Sequence, residues 1–463
     1  MRSKTCTGHW KPHTANSLVR GALILIGVLW WGPGNLAMAA ISSHHTATPL
    51  HAGAAAQPLQ VPPGTFLAGY GRNRQTTGSH DPLLARATVL SDAEFTVALV
   101  AVDNIGLTRP DIQRVQQRSA ELLLATGLPM NPDHIIVSST HTHAGPDVMG
   151  LWGKHARTSG RDPALLASWI ETIAQVVSTA AKSRQPVHVR AASAPVPQAW
   201  VENRSEPDSL DNTLATLALV HAHSGEPIAT LTNYACHPTV LGPDNTLSSA
   251  DWVSGFYETM AANQTGVHLF LQGAIGGWVQ PVQKDRTIQE ARRYGHALAK
   301  ATLALQQEAT TESAPRLDIA TATVHFEMDN FGFQLLMLLG VMERPTAPAG
   351  VPADIAWLRI GRSQFLTHPG ETAPTYSVAS RALLGSADPT FILGLTQDAL
   401  GYILRPAFFE DDAPYPDAQY LTSVSLGAET GPTLMQALNT LVNGQRAADT
   451  PAAPTHTVTG TTR

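Results

Sequence analysis

The chain has 463 residues, of which 43% are hydrophobic and 14% are charged, and its formal net charge at pH 7 is -6. This length is enough for a large hydrophobic core and, taken alone, for one to three domains. An acidic chain is a poor nucleic-acid binder, because phosphate contacts need clustered positive charge. The composition therefore excludes nucleic acid as an expected partner.

The N-terminal segment, residues 1–39, has the pattern of an export signal. Basic residues up to Arg20 precede an apolar run at 21–31, and residues 37–39 (Ala-Met-Ala) form a small-x-small cleavage site. The apolar run is shorter than the ~20 residues that a membrane span needs. We therefore predict an exported protein, periplasmic or extracellular, with an uncleaved N-terminal membrane anchor as the alternative.

Export would change both the charge and the cysteine content of the chain. The signal contains four basic and no acidic residues, so the mature chain would have a formal charge of about -10. The signal also contains Cys6, which leaves Cys236 alone and excludes an intramolecular disulfide. Residues 40–62 are rich in Ala, His, Pro and Ser, and this composition predicts a flexible linker.

From residue 63 onward the apolar pattern alternates between strands and helices. Strands are predicted at 85–90, 95–102, 134–139, 187–192, 214–220, 228–231, 267–271, 319–326, 355–360, 365–366 and 391–395. Helices are predicted at 110–127, 162–177, 288–307 and 376–384. Strands alternating with helices favour one large α/β unit at 63–445, followed by a disordered tail at 446–463.

A His-x-His pair follows the strand predicted at 134–139. His141 and His143 stand where the apolar strand ends and an Ala-Gly-Pro turn begins. In an extended backbone residues i and i+2 project to the same face, so both imidazoles would reach one pocket. Neutral imidazole is a common zinc ligand. A lone His-x-His is weak evidence, and the alternative is a pair of ordinary core or loop histidines.

Three further positions share this context of a strand that runs into a loop. His237 precedes a proline, Glu371 follows a Pro-Gly turn, and Tyr402 follows a glycine after an apolar strand. The ordinary interpretations are a loop histidine for His237 and, for Glu371, an acid that favours the N-terminus of the next helix. Cys236 is expected to be a small buried hydrophobe rather than a nucleophile.

Taken together, these motifs resemble the neutral/alkaline (non-lysosomal) ceramidase family. The matching segments are Thr140-His-Thr-His-Ala-Gly-Pro146, Gly69-Tyr-Gly71, His80-Asp-Pro-Leu with Ala85-Arg-Ala, Asn203-Arg-Ser205, His237-Pro238, Pro369-Gly-Glu371, Gly401-Tyr402, and Gln419-Tyr420 with Gly431-Pro432. They occur in family order over residues 64–440. The resemblance implies a large mixed-sheet α/β catalytic domain of the neutral ceramidase type, without the family's C-terminal immunoglobulin-like domain.

The resemblance also implies a set of site residues. They are four zinc ligands, His141, His237, Glu371 and Tyr402, and two residues beside the substrate amide, His143 and Arg204. Zinc lowers the pKa of bound water from 15.7 to roughly 7 and polarises a carbonyl, and Arg204 or His143 would stabilise the oxyanion. Asp251 would orient a ligand histidine, with a surface or capping role as the equal alternative.

The stretch at 272–281 departs from the family pattern. Gln280 stands where family members have a serine proposed to act in catalysis, and Trp278 stands where they have an aspartate. Glutamine is not a nucleophile, although its amide can donate to an oxyanion. We therefore expect zinc-activated water, rather than an acylated serine, to be the mechanism.

The sequence thus predicts an exported, zinc-dependent hydrolase that cleaves the amide of ceramide or a related N-acyl lipid, with transient contact to a membrane surface. One alternative is a hydrolase of another amide or ester, with its substrate set by loops at 149–161 and 331–352. The other is a metal-containing binding protein without turnover. The apolar run Leu335–Leu339 is predicted to be buried core, or else a lip that takes an acyl chain or touches a membrane.

Overall fold

Two β-sheets lie face to face at the centre of the fold, and helices cover their outer faces. The computed structural model describes residues 37–38, 49–92, 96–346, 348–385 and 388–449. The predicted export signal therefore lies outside the described residues, apart from the backbone at 37–38. The predicted tail lies outside them from residue 450.

The strands are β1 (Ala37–Met38), β2 (His51–Leu59), β3 (Gly78–Ser79), β4 (Leu83–Ser91), β5 (Thr96–Val102), β6 (Ile135–Ser139), β7 (Gln185–Pro195), β8 (Val201–Asn203), β9 (Thr213–His221), β10 (Pro227–Tyr234), β11 (Leu247–Ser248), β12 (Val267–Gln272), β13 (Val279–Pro281), β14 (Thr310–Glu312), β15 (Leu317–Phe326), β16 (Val351–Ile360), β17 (Ser363–Thr367), β18 (Glu371–Thr372), β19 (Thr390–Leu393) and β20 (Tyr402–Ile403). The helices are α1 (Arg109–Leu124), α2 (Pro163–Lys182), α3 (Trp252–Asn263), α4 (Ile288–Gln307), α5 (Phe331–Leu338), α6 (Pro374–Leu384), α7 (Ala418–Ser423) and α8 (Thr430–Asp449). Every predicted strand and helix overlaps one of these elements, which confirms the α/β fold.

The larger sheet has nine strands, in the order β12-β10-β9-β7-β2-β4-β5-β6, with β14 paired to β7. The pairs at its two ends, β12 with β10 and β5 with β6, are parallel, and the pairs between them are antiparallel. The sheet curls until its two edges approach each other. The Gln272 amide, at the end of β12, donates to the carbonyl of Thr140, directly after β6, at 2.9 Å. The curl brings the loops that follow β6 and β10 together.

The smaller sheet has five strands in the order β1-β15-β16-β17-β19, antiparallel except for the parallel pair β17 and β19. Its inner face packs on the larger sheet through a shared apolar core. That core includes Leu99, Leu217, Leu269 and Leu271 from the larger sheet and Leu358, Phe365, Phe391 and Leu393 from the smaller one. Each such side chain, fully buried, contributes about 1.5–3 kcal/mol. The stacking therefore fixes the position of one sheet relative to the other.

The helices complete a four-layer arrangement. α1 to α4 share a core with the outer face of the larger sheet, and α8 packs on β15 and β16 of the smaller one. Among the described helices, α2 has the length and mean hydropathy of a membrane span. However, Trp169, Ile173 and Val177 on one face of α2 are buried in the core. It therefore serves as a core helix, and the described residues form one compact unit.

Two segments that were predicted to lack structure are ordered, at least in part. Residues 51–59, inside the predicted linker, form β2, and residues 446–449, inside the predicted tail, end α8. The linker prediction was wrong over β2 because it took small side chains as a sign of flexibility. Here they permit close packing: a Cβ at Gly53 would collide with the Ala180 carbonyl of α2.

The apolar run Leu335–Leu339 was predicted to be buried core, and this preferred interpretation was wrong. The run forms the C-terminal half of the short helix α5 and the residue after it, and Phe333 is the buried residue of this helix. Phe331 and Leu338 are 78% and 83% exposed, and Leu335 and Leu339 are also exposed. The alternative of a surface lip fits these exposed side chains. The sequence did not distinguish the two interpretations, because an all-apolar stretch carries no sign of which face meets the core.

Candidate metal centre

His141 lies in the loop that follows β6, at the edge of the larger sheet. Its φ is +70°, a left-handed conformation that histidine adopts more readily than most residues. The predicted extended backbone at the His-x-His pair is therefore wrong, although both rings still point into one pocket. The ring centroids of His141 and His143 are 4.9 Å apart.

His237 follows β10 and enters the same pocket from the other edge of the curled sheet. Its ring centroid is 5.0 Å from that of His141. The two histidines share one feature: Nδ1 faces a backbone carbonyl, that of Val279 at 2.8 Å for His237 and that of Ile105 at 2.5 Å for His141. When Nδ1 carries the proton and donates it, the Nε2 lone pair is left for a metal.

Glu371 brings a carboxylate to these two nitrogens from the side of the smaller sheet. Its Oε2 lies 3.1 Å from Nε2 of His237 and 3.4 Å from Nε2 of His141. Burial opposes ionisation of Glu371, but the two imidazoles hold its pKa well below the usual range. Burial lowers the pKa of His237, so a proton on that ring is disfavoured. Three acceptor atoms this close repel one another unless a cation lies among them, and the donor set fits a divalent metal.

His143 completes a three-imidazole group within the pocket. The ligand nitrogens of His141, His143 and His237 all lie within 4.8 Å of one another. Among the described residues, none hydrogen-bonds to either ring nitrogen of His143, although both nitrogens are shielded from solvent. Burial lowers its pKa well below the ordinary value, so the ring is neutral. His143 is therefore free either to join a metal or to accept a proton.

Tyr402 is held next to Glu371 because β18 and β20 pair in parallel with these two residues in register. The Tyr402 side chain is buried, and burial together with the Glu371 charge raises its pKa well above the ordinary value. In the absence of a cation the phenol therefore keeps its proton. Tyr402 thus lies beside Glu371 at the edge of the candidate metal centre.

These residues form one end of a pocket of about 480 Å³. Its apolar lining includes Met149, Leu151, Trp152, Phe333, Met342, Leu395, Ala399, Leu400 and Val424. Met149, Leu151 and Trp152 come from the first of the two predicted substrate loops, and Phe333 and Met342 come from the second. The pocket therefore offers a polar centre with an apolar wall, an arrangement typical of sites for ligands with a polar group and an apolar portion.

Arg204, Trp278 and Gln280 also line this pocket. Arg204 is half exposed and lies over the Trp278 ring, with its guanidinium carbon 4.9 Å from the ring centroid. The Gln280 amide donates to the Glu202 carboxylate at 2.6 Å, across the pairing of β13 with β8. Trp278 and Gln280, which depart from the family pattern, are thus parts of the pocket wall.

Asp251 is a buried capping residue and does not touch a histidine ring. Its carboxylate accepts hydrogen bonds from the backbone amides of Trp252, Val240 and Leu241 at 2.7, 3.0 and 2.9 Å. Burial raises its pKa to about 6 against the effect of these amides. Of the two predicted roles, the capping role is the one that fits. Asp251 also fixes the loop that follows His237.

The sequence reasoning missed Gln272 as a residue that positions the centre. Its amide nitrogen donates to the carbonyls of Thr140 and Cys236 at 2.9 and 3.0 Å, and its amide oxygen accepts from the Cys236 backbone amide. One buried side chain thus joins the residues directly before His141 and His237. A glutamine at a strand end carries no sequence signal for this role.

A second missed group supports His143. The Tyr70 ring packs edge-on against it with 5.0 Å between centroids, and Arg74 donates to the His143 carbonyl at 2.5 Å. Gly69 has a φ of +94°, and a Cβ there would collide with the His143 ring. In the sequence, the Gly-Tyr-Gly motif was significant only by its resemblance to the family. The close approach of the Gly69 backbone to the His143 ring explains why glycine stands at this position.

Cys236 has the role of a small buried hydrophobe. Its thiol lies 3.3 Å from the Tyr294 hydroxyl, and burial raises the thiol pKa far above the ordinary value. A thiolate nucleophile is therefore disfavoured at this position.

Comparisons with known proteins agree with this fold. Residues 62–266 match the family model described as neutral/alkaline non-lysosomal ceramidase, N-terminal. No curated protein matches the sequence. The neutral ceramidase structure from Pseudomonas aeruginosa is similar at a TM-score of 0.67 and 17% identity, over 87% of this chain and 75% of that one. A structure described as ceramidase complexed with C2 is similar at a TM-score of 0.66 and 16% identity, over 88% and 77%.

The structural likenesses establish the fold, since identities this low support no more than that. The family match covers the segment that contains His141, His143, Arg204 and His237. The shared fold extends beyond this segment, over 87–88% of the chain. Residues 62–266 thus belong by sequence to the neutral/alkaline non-lysosomal ceramidase family, and the chain shares its fold with neutral ceramidase structures.

Proposed function

We propose that this chain is an exported, zinc-dependent amide hydrolase that cleaves the N-acyl bond of ceramide or a related N-acyl lipid. The observation that supports this most strongly is the meeting of two imidazole Nε2 atoms with the Glu371 carboxylate at one end of an apolar pocket. Family membership supports a hydrolase of amide bonds. Zinc, export and the substrate are the parts of this proposal that go beyond the family.

The donor set fits zinc. His141, His237 and Glu371 are the two-imidazole, one-carboxylate set of many catalytic zinc sites. Tyr402, which is in register with Glu371, would be the fourth ligand. When bound, zinc supplies a Lewis acid that lowers the pKa of water to roughly 7 and polarises a carbonyl. The backbone carbonyls of Ile105 and Val279 orient the two rings for this task.

Two further residues of the pocket have chemical roles that need no nucleophilic serine. His143 is neutral, and its unpartnered ring nitrogens can hold the proton that the attacking water releases and pass it to the leaving amine. The Arg204 guanidinium, at the pocket wall, stabilises the negative charge that develops on the carbonyl oxygen. Gln280 is engaged with Glu202 and takes no part in this mechanism.

An N-acyl lipid fits the rest of the pocket. The apolar wall excludes water from the acyl chain, and Phe333 on the inner side of α5 belongs to that wall. Phe331, Leu335 and Leu338 on the same helix are exposed at the surface. We propose that these side chains make the transient membrane contact through which a lipid substrate passes from a bilayer to the pocket.

The direct test is release of fatty acid from a long-chain ceramide in detergent micelles, with and without a zinc chelator. We expect release that the chelator abolishes and that added zinc restores. If protein confirmed to contain zinc releases no fatty acid, ceramide is not the substrate. A panel of other N-acyl amides and esters then separates the alternative hydrolase from a binding protein without turnover.

A further inference from the structure

The mouth of the pocket carries positive charge, although the chain as a whole is acidic. Apart from the histidines, the ionisable residues in the lining with charges at neutral pH are Arg204, Arg286 and Glu371. The Glu371 carboxylate faces two imidazoles at 3.1 and 3.4 Å and is part of the candidate metal centre. Two guanidinium groups are therefore left without an acidic counterpart in the pocket lining.

Arg286 lies between β13 and α4, and its guanidinium packs on the backbone at Gly242. Gly242 has a φ of +73°, and a Cβ at this position would collide with the Arg286 side chain. Within the described residues, no carboxylate comes within ion-pair distance of Arg286. Its neighbour Asp285 accepts hydrogen bonds from the amide and hydroxyl of Thr287 instead, at 3.1 and 2.5 Å.

Arg204 has only a loose acidic partner. The distance from its Nη2 to Oδ2 of Asp417 is 3.5 Å, and the side chain is 49% exposed. Its position over Trp278 keeps the guanidinium at the wall of the pocket. A guanidinium that is held in place by packing and has no close carboxylate partner is available to bind an anion, and this description fits Arg286 better than Arg204.

We propose that, among N-acyl lipids, this pocket prefers a substrate with a carboxylate on its amine portion, as in an N-acyl amino acid, and that Arg286 binds this carboxylate. The inference rests on the proposed amidase function and specifies its substrate class. The acyl chain would lie on the apolar wall, and the amide would lie at the centre formed by His141, His237 and Glu371. Water adds across the C–N bond, so the products are a fatty acid and an amino acid, and no other reactant is needed.

The test compares N-dodecanoylglycine with N-dodecanoylglycinamide, which differ only in the charge of the head group. The proteins are the parent, Arg286→Met and, as a matched control, Lys284→Met, which removes an exposed cation two residues away and outside the pocket lining. We expect the parent to prefer the carboxylate substrate by roughly tenfold in kcat/KM. A hydrogen bond to a charged group increases affinity by about that factor over a hydrogen bond to a neutral group. Arg286→Met should lose this preference, and Lys284→Met should retain it.

A binding measurement separates this inference from the proposed function. The probes are the sulfonamide analogues of the two compounds, in which a sulfonyl group replaces the cleavable carbonyl, titrated by calorimetry. One outcome is that the carboxylate probe binds more tightly than the amide probe, in a way that depends on Arg286, while no amide is hydrolysed. That result would support the anion site and contradict the proposed hydrolase function. Equal binding of both probes by the parent, or an equal loss in Lys284→Met, would overturn the anion site.

Discussion

The two sides of the candidate metal centre are held in place in different ways. On the side of the larger sheet, His141 and His237 are oriented by hydrogen bonds to the carbonyls of Ile105, in the loop after β5, and of Val279, at the start of β13. On the other side, Glu371 is positioned by its backbone, through the short parallel pairing of β18 with β20. The Oε2 atom of Glu371 meets the imidazoles only because the two sheets are stacked. The imidazole side is thus built within one curled sheet, and the carboxylate side depends on the packing of the second sheet on the first.

The largest effect is expected from removing a ligand on the imidazole side. His237→Ala should abolish zinc retention and lower amide hydrolysis by roughly a thousandfold or more, since a metal contributes several kcal/mol to the transition state. Glu371→Gln should weaken zinc binding but leave both imidazoles oriented by their carbonyls. Elemental analysis and fatty-acid release measure the two effects. The control is His223→Ala, an exposed histidine in a hairpin turn, and equal zinc loss in this control would contradict the assignment.

The pH dependence of the free energy of unfolding probes the carboxylate side, through His368, which lies three residues before Glu371. Burial, with a smaller contribution from Arg381, lowers its pKa from 6.5 to about 3. Above pH 6.5 the residue is neutral in both states. As the pH falls below 6.5, His368 binds a proton in the unfolded chain but not in the folded chain, so the free energy of unfolding decreases. At pH 4.5 this loss should be about 2–3 kcal/mol relative to pH 7.5.

His368→Gln should therefore flatten the pH dependence of unfolding by about that amount. Urea unfolding of the chelator-treated protein at the two pH values measures it. His296→Gln, at a half-exposed histidine on α4, is the control, and the effect is assigned to His368 if this variant does not reproduce it. A parent-like slope in His368→Gln would show that this imidazole is not buried in neutral form.

The exposed face of α5 gives a smaller effect that depends on how the substrate is presented. Phe331→Ser with Leu338→Ser should lower hydrolysis of bilayer-embedded ceramide by roughly tenfold, because partial withdrawal of two apolar side chains from water contributes on the order of 1–2 kcal/mol. Hydrolysis of a short-chain substrate in solution should be unchanged. Leu124→Ser is the control, because Leu124 is also exposed, at 67%, but lies at the end of α1. An equal loss on the soluble substrate would argue against membrane contact.

The smallest effect is expected at Gln280. Gln280→Ser restores the residue type of the family but should leave kcat within about threefold of the parent, because a serine without an oriented base is not activated. Gln283→Ser, in the same pocket lining, is the control. A large gain in Gln280→Ser alone would favour a serine mechanism over activated water.

The periodic and motif signals of the sequence predicted more than the compositional ones did. The limits of α4 were predicted to the residue, and the strands predicted at 214–220 and 228–231 lie within β9 and β10. By contrast, β2 was taken for a linker and α5 for core. Period-based patterns report backbone geometry directly. Composition reports only an average environment, and small or uniformly apolar residues occur in several environments.

For the site, the sequence determined which residues were candidates, and the tertiary structure decided how they act together. The motifs singled out His141, His237, Glu371 and Tyr402 without any distance between them. The left-handed φ at His141, the link made by Gln272 and the unpaired cation of Arg286 followed only from the fold. Local sequence sets strands, turns and ligand chemistry. Which distant loops meet, and which charges then lack a partner, depends on the curl of one sheet and its packing on the other.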